Sequence, residues 1–184
     1  MESQLTQPRP ARAREVALPA GALAALRRTL AAELDGDTAA RALQVAGGAA
    51  GHALFPAMAA DQAPAALAMG DFFARLDQLL STRGWGRLRH ASVHPGVGEL
   101  NADAWLEADV DGAAARPSCF FTTGVLAALL TRAAGRDTAV LEVACRSAGA
   151  ERCRFLFGAP ETLQAIHRHM LAGRDADAAI AALL

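Results

Sequence analysis

The residues that could carry chemistry are concentrated between Ser118 and Phe157. This stretch holds all three cysteines of the chain and a glutamate between the first and second, spaced as C-x22-E-x2-C-x7-C; they are Cys119, Glu142, Cys145 and Cys153. Three thiols and one carboxylate form a full ligand set for a four-coordinate zinc ion, which favours sulfur and accepts one oxygen ligand. Two other interpretations also fit the spacing: three buried free cysteines that pack as small hydrophobic side chains, or a hairpin disulfide between Cys145 and Cys153.

The secondary structure around these residues decides whether they meet. The pattern predicts that Cys119 lies in the first turn of a helix, and that Glu142 and Cys145 lie near the end of one strand. A separation of three puts two side chains on opposite faces of a regular strand. Glu142 and Cys145 can therefore reach one ion only if the strand bulges, bends or ends between them. A tight hairpin turn would then bring Cys153, on the following strand, opposite Cys145.

The periodicity of apolar residues predicts helices first and strands later. Helices are expected over 16–34, from a cap at Asp37 or Thr38 to 60, over 64–83, from a cap at Ser118 to Gly135, over 160–171 and in the tail. Strands are expected over 85–93, 99–110, 137–145 and 152–157. This order indicates the α+β class, with helices packed on an antiparallel sheet. We expect a disordered arm at 1–14, one ligand-binding domain at 15–172 and a helical tail at 173–184.

The composition excludes several classes of function. The sequence contains no lysine and no tyrosine, which excludes a Schiff-base or phosphate-loop lysine and phenolic acid–base catalysis. A net charge of -1 gives no electrostatic surface for nucleic acid or an anionic membrane. No apolar run is long enough to span a bilayer, and an odd cysteine count without a secretory signal indicates the cytoplasm.

No catalytic residue is predicted. The chain has no G-x-S-x-G motif, and Glu107 and Asp109 are predicted to lie on one face of a strand in a solvated stretch flanked by loops. The five histidines are interpreted as surface residues or as residues satisfied within the protein; they are His52, His90, His94, His167 and His169. A zinc ion held by four protein ligands has no open position for substrate, so the predicted role of the metal is structural.

One family resemblance rests on the cysteine-rich stretch. Glu142-Val-Ala-Cys145-x3-Gly149-x3-Cys153, preceded by Cys119-x4-Gly124, resembles the signature of the 4-vinyl reductase-type domain. The resemblance extends over about 16–171 and includes a glycine-containing helix with Gly47 and Gly51. It implies an α+β fold that is shared with the TRAPP vesicle-tethering subunits and is also known as the ligand-binding fold of NO-signalling and Golgi-transport proteins. Proteins with this fold typically form homodimers. It also implies that the three cysteines and Glu142 bind a structural zinc ion, as they do in the sensor domains of phenol-responsive activators.

The resemblance is weaker around the ligand pocket. In the phenol sensors a histidine and a tryptophan hold the ligand hydroxyl; Trp105 resembles that tryptophan, but residues 69–74 contain no histidine. Phenol itself is therefore not the expected ligand. The expected pocket is apolar and lined by Phe72, Phe73, Trp85 and Trp105, although each of these side chains could equally be part of an ordinary core.

The resulting functional hypothesis is a non-enzymatic, zinc-stabilised domain of sensor type. It would bind a hydrophobic small molecule between the helices and the sheet, and signal through homodimerisation or a partner. Two alternatives follow from the resemblance. One is an enzymatic or accessory role in reducing the vinyl group of a (bacterio)chlorophyll precursor. The other is a TRAPP-like scaffold.

Overall fold

Helices come first along the described residues. A computed structural model describes residues 15–58, 67–108 and 114–183. Within them, α1 spans Ala20–Glu33, α2 spans Gly36–Met58 and α3 spans Met69–Ser81. The arm predicted at 1–14 and the predicted start of the third helix lie outside the described residues.

A four-stranded antiparallel sheet follows. Its strands are β1 (Arg87–His94), β2 (Val97–Asp103), β3 (Ala139–Ala144) and β4 (Cys153–Gly158), in the order β1-β2-β4-β3. Helix α4 (Phe120–Ala134) connects β2 to β3, while α5 (Pro160–Leu171) and α6 (Ala176–Ala181) follow β4. The predicted α+β class, with helices on an antiparallel sheet, is confirmed.

The sheet lies between two hydrophobic clusters, because successive side chains on a strand point to opposite faces. Phe155 of β4 belongs to the larger cluster, which it shares with side chains from α2, α3 and α4. The next residue, Leu156, belongs to the smaller cluster with Leu163 and Ile166 of α5 and Ile180 of α6. All three cysteines lie in the larger cluster. No helix among the described residues is long and apolar enough to cross a membrane.

Helices α2 and α4 pack with almost no space between their backbones. A Cβ atom added to Gly47 would lie 2.0 Å from the carbonyl oxygen of Phe121, and one added to Gly124 would lie 2.1 Å from that of Gln44. Both glycines are therefore required by the contact itself. This contact holds the start of α4, and with it Cys119, against the helical layer.

The close contact can be tested with two neighbouring glycines of α2. We expect Gly47→Ala to lower the free energy of unfolding by at least about 2 kcal/mol, because the added methyl group meets backbone that cannot move aside. Gly48 is the matched control, since nothing lies within 4 Å of its added Cβ. Gly48→Ala should raise stability by roughly 0.5–1 kcal/mol through helix propensity. Urea unfolding of both variants measures the difference, and equal effects would contradict the packing.

Four predicted boundaries were wrong for local reasons. Helix α1 begins at Ala20 rather than at 16, with Pro19 as the residue before its first turn. β2 ends at Asp103 rather than reaching 110, because Ala104 adopts a positive φ of 47° and turns the chain. Helix α2 begins at Gly36, and its side-chain cap is Asp35, which accepts from the backbone N–H groups of Asp37 and Thr38. Ser118 does not cap α4; Cys119 is the residue that precedes its first turn.

Candidate metal centre and ligand grooves

The three cysteines and Glu142 meet at one point between α4 and the end of the sheet. Cys119 immediately precedes α4, Glu142 lies on β3, Cys145 follows β3, and Cys153 begins β4. Their ligand atoms all lie within 4.8 Å of one another, and all four residues are buried. The cysteines are free, so the structure contains no hairpin disulfide between Cys145 and Cys153.

The sulfur spacing fits a tetrahedral metal ion. The Sγ atom of Cys119 lies 3.7 Å from that of Cys145 and 3.9 Å from that of Cys153. A zinc ion with Zn–S bonds of about 2.3 Å separates its sulfur ligands by about 3.8 Å in a regular tetrahedron. The separations match that value and are nearly twice the length of a disulfide bond, which is about 2.05 Å.

A bulge in β3 lets Glu142 and Cys145 converge. Glu142 pairs with Phe155 of β4, whereas Ala144 pairs with Arg154, so Val143 is an extra residue in β3. The predicted strand irregularity between Glu142 and Cys145 is thereby confirmed. A short turn over Arg146–Ala148, followed by Gly149 at a φ of 88°, then reverses the chain toward Cys153.

The two carboxylate oxygens of Glu142 differ in their hydrogen bonding within the described residues. Oε2 accepts a hydrogen bond of 2.7 Å from the backbone N–H of Cys119. Oε1 is buried and has no hydrogen-bond partner among the described residues. Burial, reinforced by the neighbouring Cys145, raises the pKa of Glu142 to about 8. An unpaired buried carboxylate oxygen is costly, and a metal ligand bond is one way to satisfy it.

The thiols restrict one another's ionisation. Hydrogen bonds from Cys119 and Cys153 lower the pKa of Cys145, whereas the pKa of Cys119 is raised by its bonds to the other two cysteines and by burial. For Cys153, the bond to Cys119 lowers the pKa, but the effects of Cys145 and burial outweigh it and raise the pKa to about 12. The ionisation of each thiol therefore depends on its neighbours, and a bound cation would favour the thiolate forms.

A second buried carboxylate, Glu107, holds the start of α4. Its oxygens accept from the backbone N–H groups of Phe121 at 3.0 Å and Thr122 at 2.7 Å. Arg27 of α1 pairs with the carboxylate at 3.7 Å, and also donates to the carbonyl oxygens of Glu107 and Ser118. Burial raises the pKa of Glu107, while the α4 donors and Arg27 oppose that rise. The prediction that Glu107 is solvated was wrong, since it is 2% exposed; Asp109 lies outside the described residues.

The four aromatic residues predicted to line a pocket form two pairs. Trp85 and Trp105 lie edge to face with their ring centres 6.2 Å apart, and Trp85 also stacks on Phe121. Phe72 and Phe73 form the second pair, at 5.1 Å. The indole N–H of Trp105 donates to the hydroxyl of Thr122 at 2.8 Å, so this donor is already used within the protein.

His90 joins the second pair from the sheet. Its ring lies flat against Phe73, with centres 3.9 Å apart and an interplanar angle of 5°, and it lies 5.9 Å from Phe157. Burial lowers the pKa of His90, which keeps the imidazole neutral at pH 7. Residues 69–74 contain no histidine, but β1 places one directly against Phe73 of that segment.

Two grooves of similar size lie on different parts of the structure. The aromatic groove, of about 430 Å³, lies between the start of α3, the sheet and the end of α4; its lining includes Met69, His90, Leu130, Ala134, Arg136 and Phe157. The arginine groove, also of about 430 Å³, lies between α1, α2 and the segment before α4; its lining includes Ala24, Arg27, Ala40, Leu43, Arg116 and Phe120. Both volumes lie in the range of small-molecule sites.

Sequence patterns missed Arg27 and His90 as site residues. Arg27 is 80 positions from Glu107, and no local pattern connects the two. His90 alternates with its neighbours as any strand residue does, so nothing in β1 shows that its ring faces Phe73. Glu107 likewise lies too far along the chain from Phe120, the first residue of α4, for a local capping pattern to connect it with that helix start.

Known proteins resemble this chain in sequence over one segment and in overall fold. Residues 103–159 match the family model of the 4-vinyl reductase domain, so the resemblance to that family is confirmed over the segment that contains all four clustered residues. The crystal structure of the phenol-responsive sensory domain of the transcription activator PoxR, solved with phenol, has a TM-score of 0.67 at 20% identity. That match covers 79% of this chain and 76% of that one.

A second solved structure is more distant. It is a vinyl-4-reductase family protein from Methanocaldococcus jannaschii, with a TM-score of 0.49 at 18% identity, covering 78% of this chain and 82% of that one. Among curated proteins, none matches the sequence. The likeness to the PoxR domain establishes that the two share a fold.

Proposed function

We propose that this protein is a ligand-binding domain of sensor type that is stabilised by a structural zinc ion and binds a hydrophobic small molecule. The observation that carries this proposal is the buried cluster of three cysteines and Glu142 within the segment that matches the 4-vinyl reductase domain. The fold is that of a sensory domain described as phenol-responsive, which favours ligand binding over catalysis.

Zinc is the metal that the ligand set favours. Three sulfur ligands select a borderline-soft ion, and a fourth ligand from a carboxylate completes tetrahedral coordination. With Cys119, Cys145, Cys153 and Glu142 all engaged, the ion would hold α4 against the β3–β4 hairpin. Its contribution would therefore be to folding.

The aromatic groove is the site where we place the hydrophobic ligand. Phe157 and His90 line it, and the ring of Phe73 packs against both, with centres 5.5 Å and 3.9 Å away. The ring nitrogens of His90 form no hydrogen bond with any other described residue, so a neutral imidazole is available to a polar group on the ligand. The site suits a small aromatic molecule that carries one polar substituent.

Ligand binding can be measured with the neutral fluorescent probe N-phenyl-1-naphthylamine. We expect the probe to bind the wild-type protein with one site per chain. Ala134→Trp should weaken binding at least about tenfold, because Ala134 lines the aromatic groove and an indole there would fill it.

The matched control is Ala74→Trp, which adds the same side chain at an exposed position of α3. It should leave the affinity of the probe unchanged. Equal loss of binding in both variants, or no binding to the wild type, would remove the aromatic groove from the proposal.

The output of binding is proposed from the family resemblance. A second copy of the chain is the partner that the resemblance implies, and α1 with the residues before it presents exposed apolar side chains to such a partner, among them Val16, Leu18 and Leu26. Light scattering with and without ligand would test this, and a monomeric mass under both conditions would leave another protein as the partner.

A further inference from the structure

The arginine groove has apolar walls and three arginines in its lining. Its walls are side chains of Ala24 on α1, Ala40 and Leu43 on α2, and Phe120 at the start of α4. Three arginines line it, namely Arg27, Arg28 and Arg116, and no carboxylate is among its lining residues. Arg27 pairs with Glu107, which does not line the groove, so the charge of Arg27 is already balanced.

The arginines do not have equal roles. Arg27 is engaged with Glu107 and Ser118, and it keeps the start of α4 in place. Arg116 is exposed, and none of the described carboxylates pairs with it. Its guanidinium lies beside Gly36, since a Cβ added to Gly36 would come within 3.2 Å of it. This guanidinium lies at the edge of an apolar groove. It can therefore bind an anionic group without first breaking an ion pair with a described carboxylate.

We propose that the arginine groove binds an amphipathic anion, with an apolar body against the alanine and leucine walls and a carboxylate or sulfonate head group on Arg116. A planar guanidinium matches two oxygens of such a group and forms two parallel hydrogen bonds with them. None of the residues lining this groove lines the aromatic groove. The proposal therefore adds a second site, separate from the one assigned to the hydrophobic ligand.

Two fluorescent probes that differ by one charged group test this site. 1-Anilinonaphthalene-8-sulfonate carries the sulfonate that N-phenyl-1-naphthylamine lacks, while the aromatic body is the same. We expect Arg116→Gln to weaken binding of the sulfonate probe about tenfold or more and to leave the neutral probe unchanged. Arg116 is exposed, so this variant retains the fold. The matched control, Arg136→Gln, removes an arginine from the aromatic groove and should not affect the sulfonate probe.

Filling each groove provides a second measurement. Ala40→Trp should abolish binding of the sulfonate probe and spare the neutral one, whereas Ala134→Trp should have the opposite effect. Added salt should weaken only the sulfonate probe, because its head group interacts by charge. The proposal is overturned if Arg116→Gln changes the affinity of the sulfonate probe less than about twofold, or if Ala134→Trp rather than Ala40→Trp abolishes its binding. Failure of the neutral probe alone counts against the aromatic groove and not against this site.

Discussion

Replacing Cys145 with serine should abolish binding of the proposed metal ion and remove most of the stability of the protein. The thiol is 1% exposed, and a serine hydroxyl is a poor zinc ligand at neutral pH. Structural zinc sites in small peptides bind with apparent free energies of about 10–16 kcal/mol, which is comparable to the total stability of a domain. We expect the free energy of unfolding to fall by more than about 3 kcal/mol, measured by urea unfolding in chelator-free buffer.

A chelator separates metal loss from ordinary core damage. It should lower the melting temperature of the wild type but leave that of Cys145→Ser unchanged, since the variant has no ion to lose. The control is Leu163→Ala, in the smaller hydrophobic cluster on the far face of the sheet. This substitution should lower the free energy of unfolding by about 2–5 kcal/mol. The variant should still bind the metal and respond to the chelator. A wild type that does not respond to chelator would contradict a structural metal.

Replacing Glu107 with alanine should also destabilise the protein strongly. It would leave Arg27 without its carboxylate partner and the N–H groups of Phe121 and Thr122 without an acceptor. Breaking a buried ion pair from one side costs about 3–5 kcal/mol, because the remaining charge stays largely buried; the side chain of Arg27 is 13% exposed. The free energy of unfolding should fall by that amount.

The control for Glu107 is Asp103→Ala, which removes an acid from an exposed pair with Arg89. Exposed pairs contribute about 1 kcal/mol or less, so this change should be nearly neutral. The double variant Arg27→Ala/Glu107→Ala should be less destabilised than the sum of the single changes, because it leaves no unpaired charge. Additive losses, or a loss below about 1 kcal/mol for Glu107→Ala, would show that the two side chains do not act together.

The cluster of three cysteines and Glu142 meets the hydrogen bonds of Glu107 at the start of α4. The backbone N–H of Cys119, just before the helix, donates to Glu142, and the N–H groups of Phe121 and Thr122 donate to Glu107. Trp105 adds a hydrogen bond to Thr122 in the same turn. Removing the metal would therefore loosen a helix end that also forms part of the wall of the arginine groove. We expect metal-depleted protein to bind the sulfonate probe more weakly than metal-loaded protein.

Residue spacing predicted the parts of the site that depend on local geometry. A separation of three on one strand required an irregularity between Glu142 and Cys145, and the bulge at Val143 supplies it. The start of α5 at Pro160 and its end at Leu171 also followed from local signals, since proline favours a first helical turn.

Contacts between distant segments were not predictable in this way. The turn after β2 depends on Ala104, a residue type with no preference for a positive φ, and the turn is what buries Glu107. Arg27 reaches Glu107 only after α1 packs beside the segment that precedes α4. The stacking of His90 on Phe73 likewise depends on how α3 packs against β1. Such contacts are set by tertiary packing, which no short sequence window contains.

The most direct measurement is the metal content and metal coordination of protein purified without chelators. We expect about one zinc ion per chain by elemental analysis. X-ray absorption should give a first coordination shell of three sulfur atoms at about 2.3 Å and one oxygen at about 2.0–2.2 Å. Less than about half an ion per chain, or a first shell without sulfur, would contradict the assignment of Cys119, Glu142, Cys145 and Cys153 as the ligands of a structural metal.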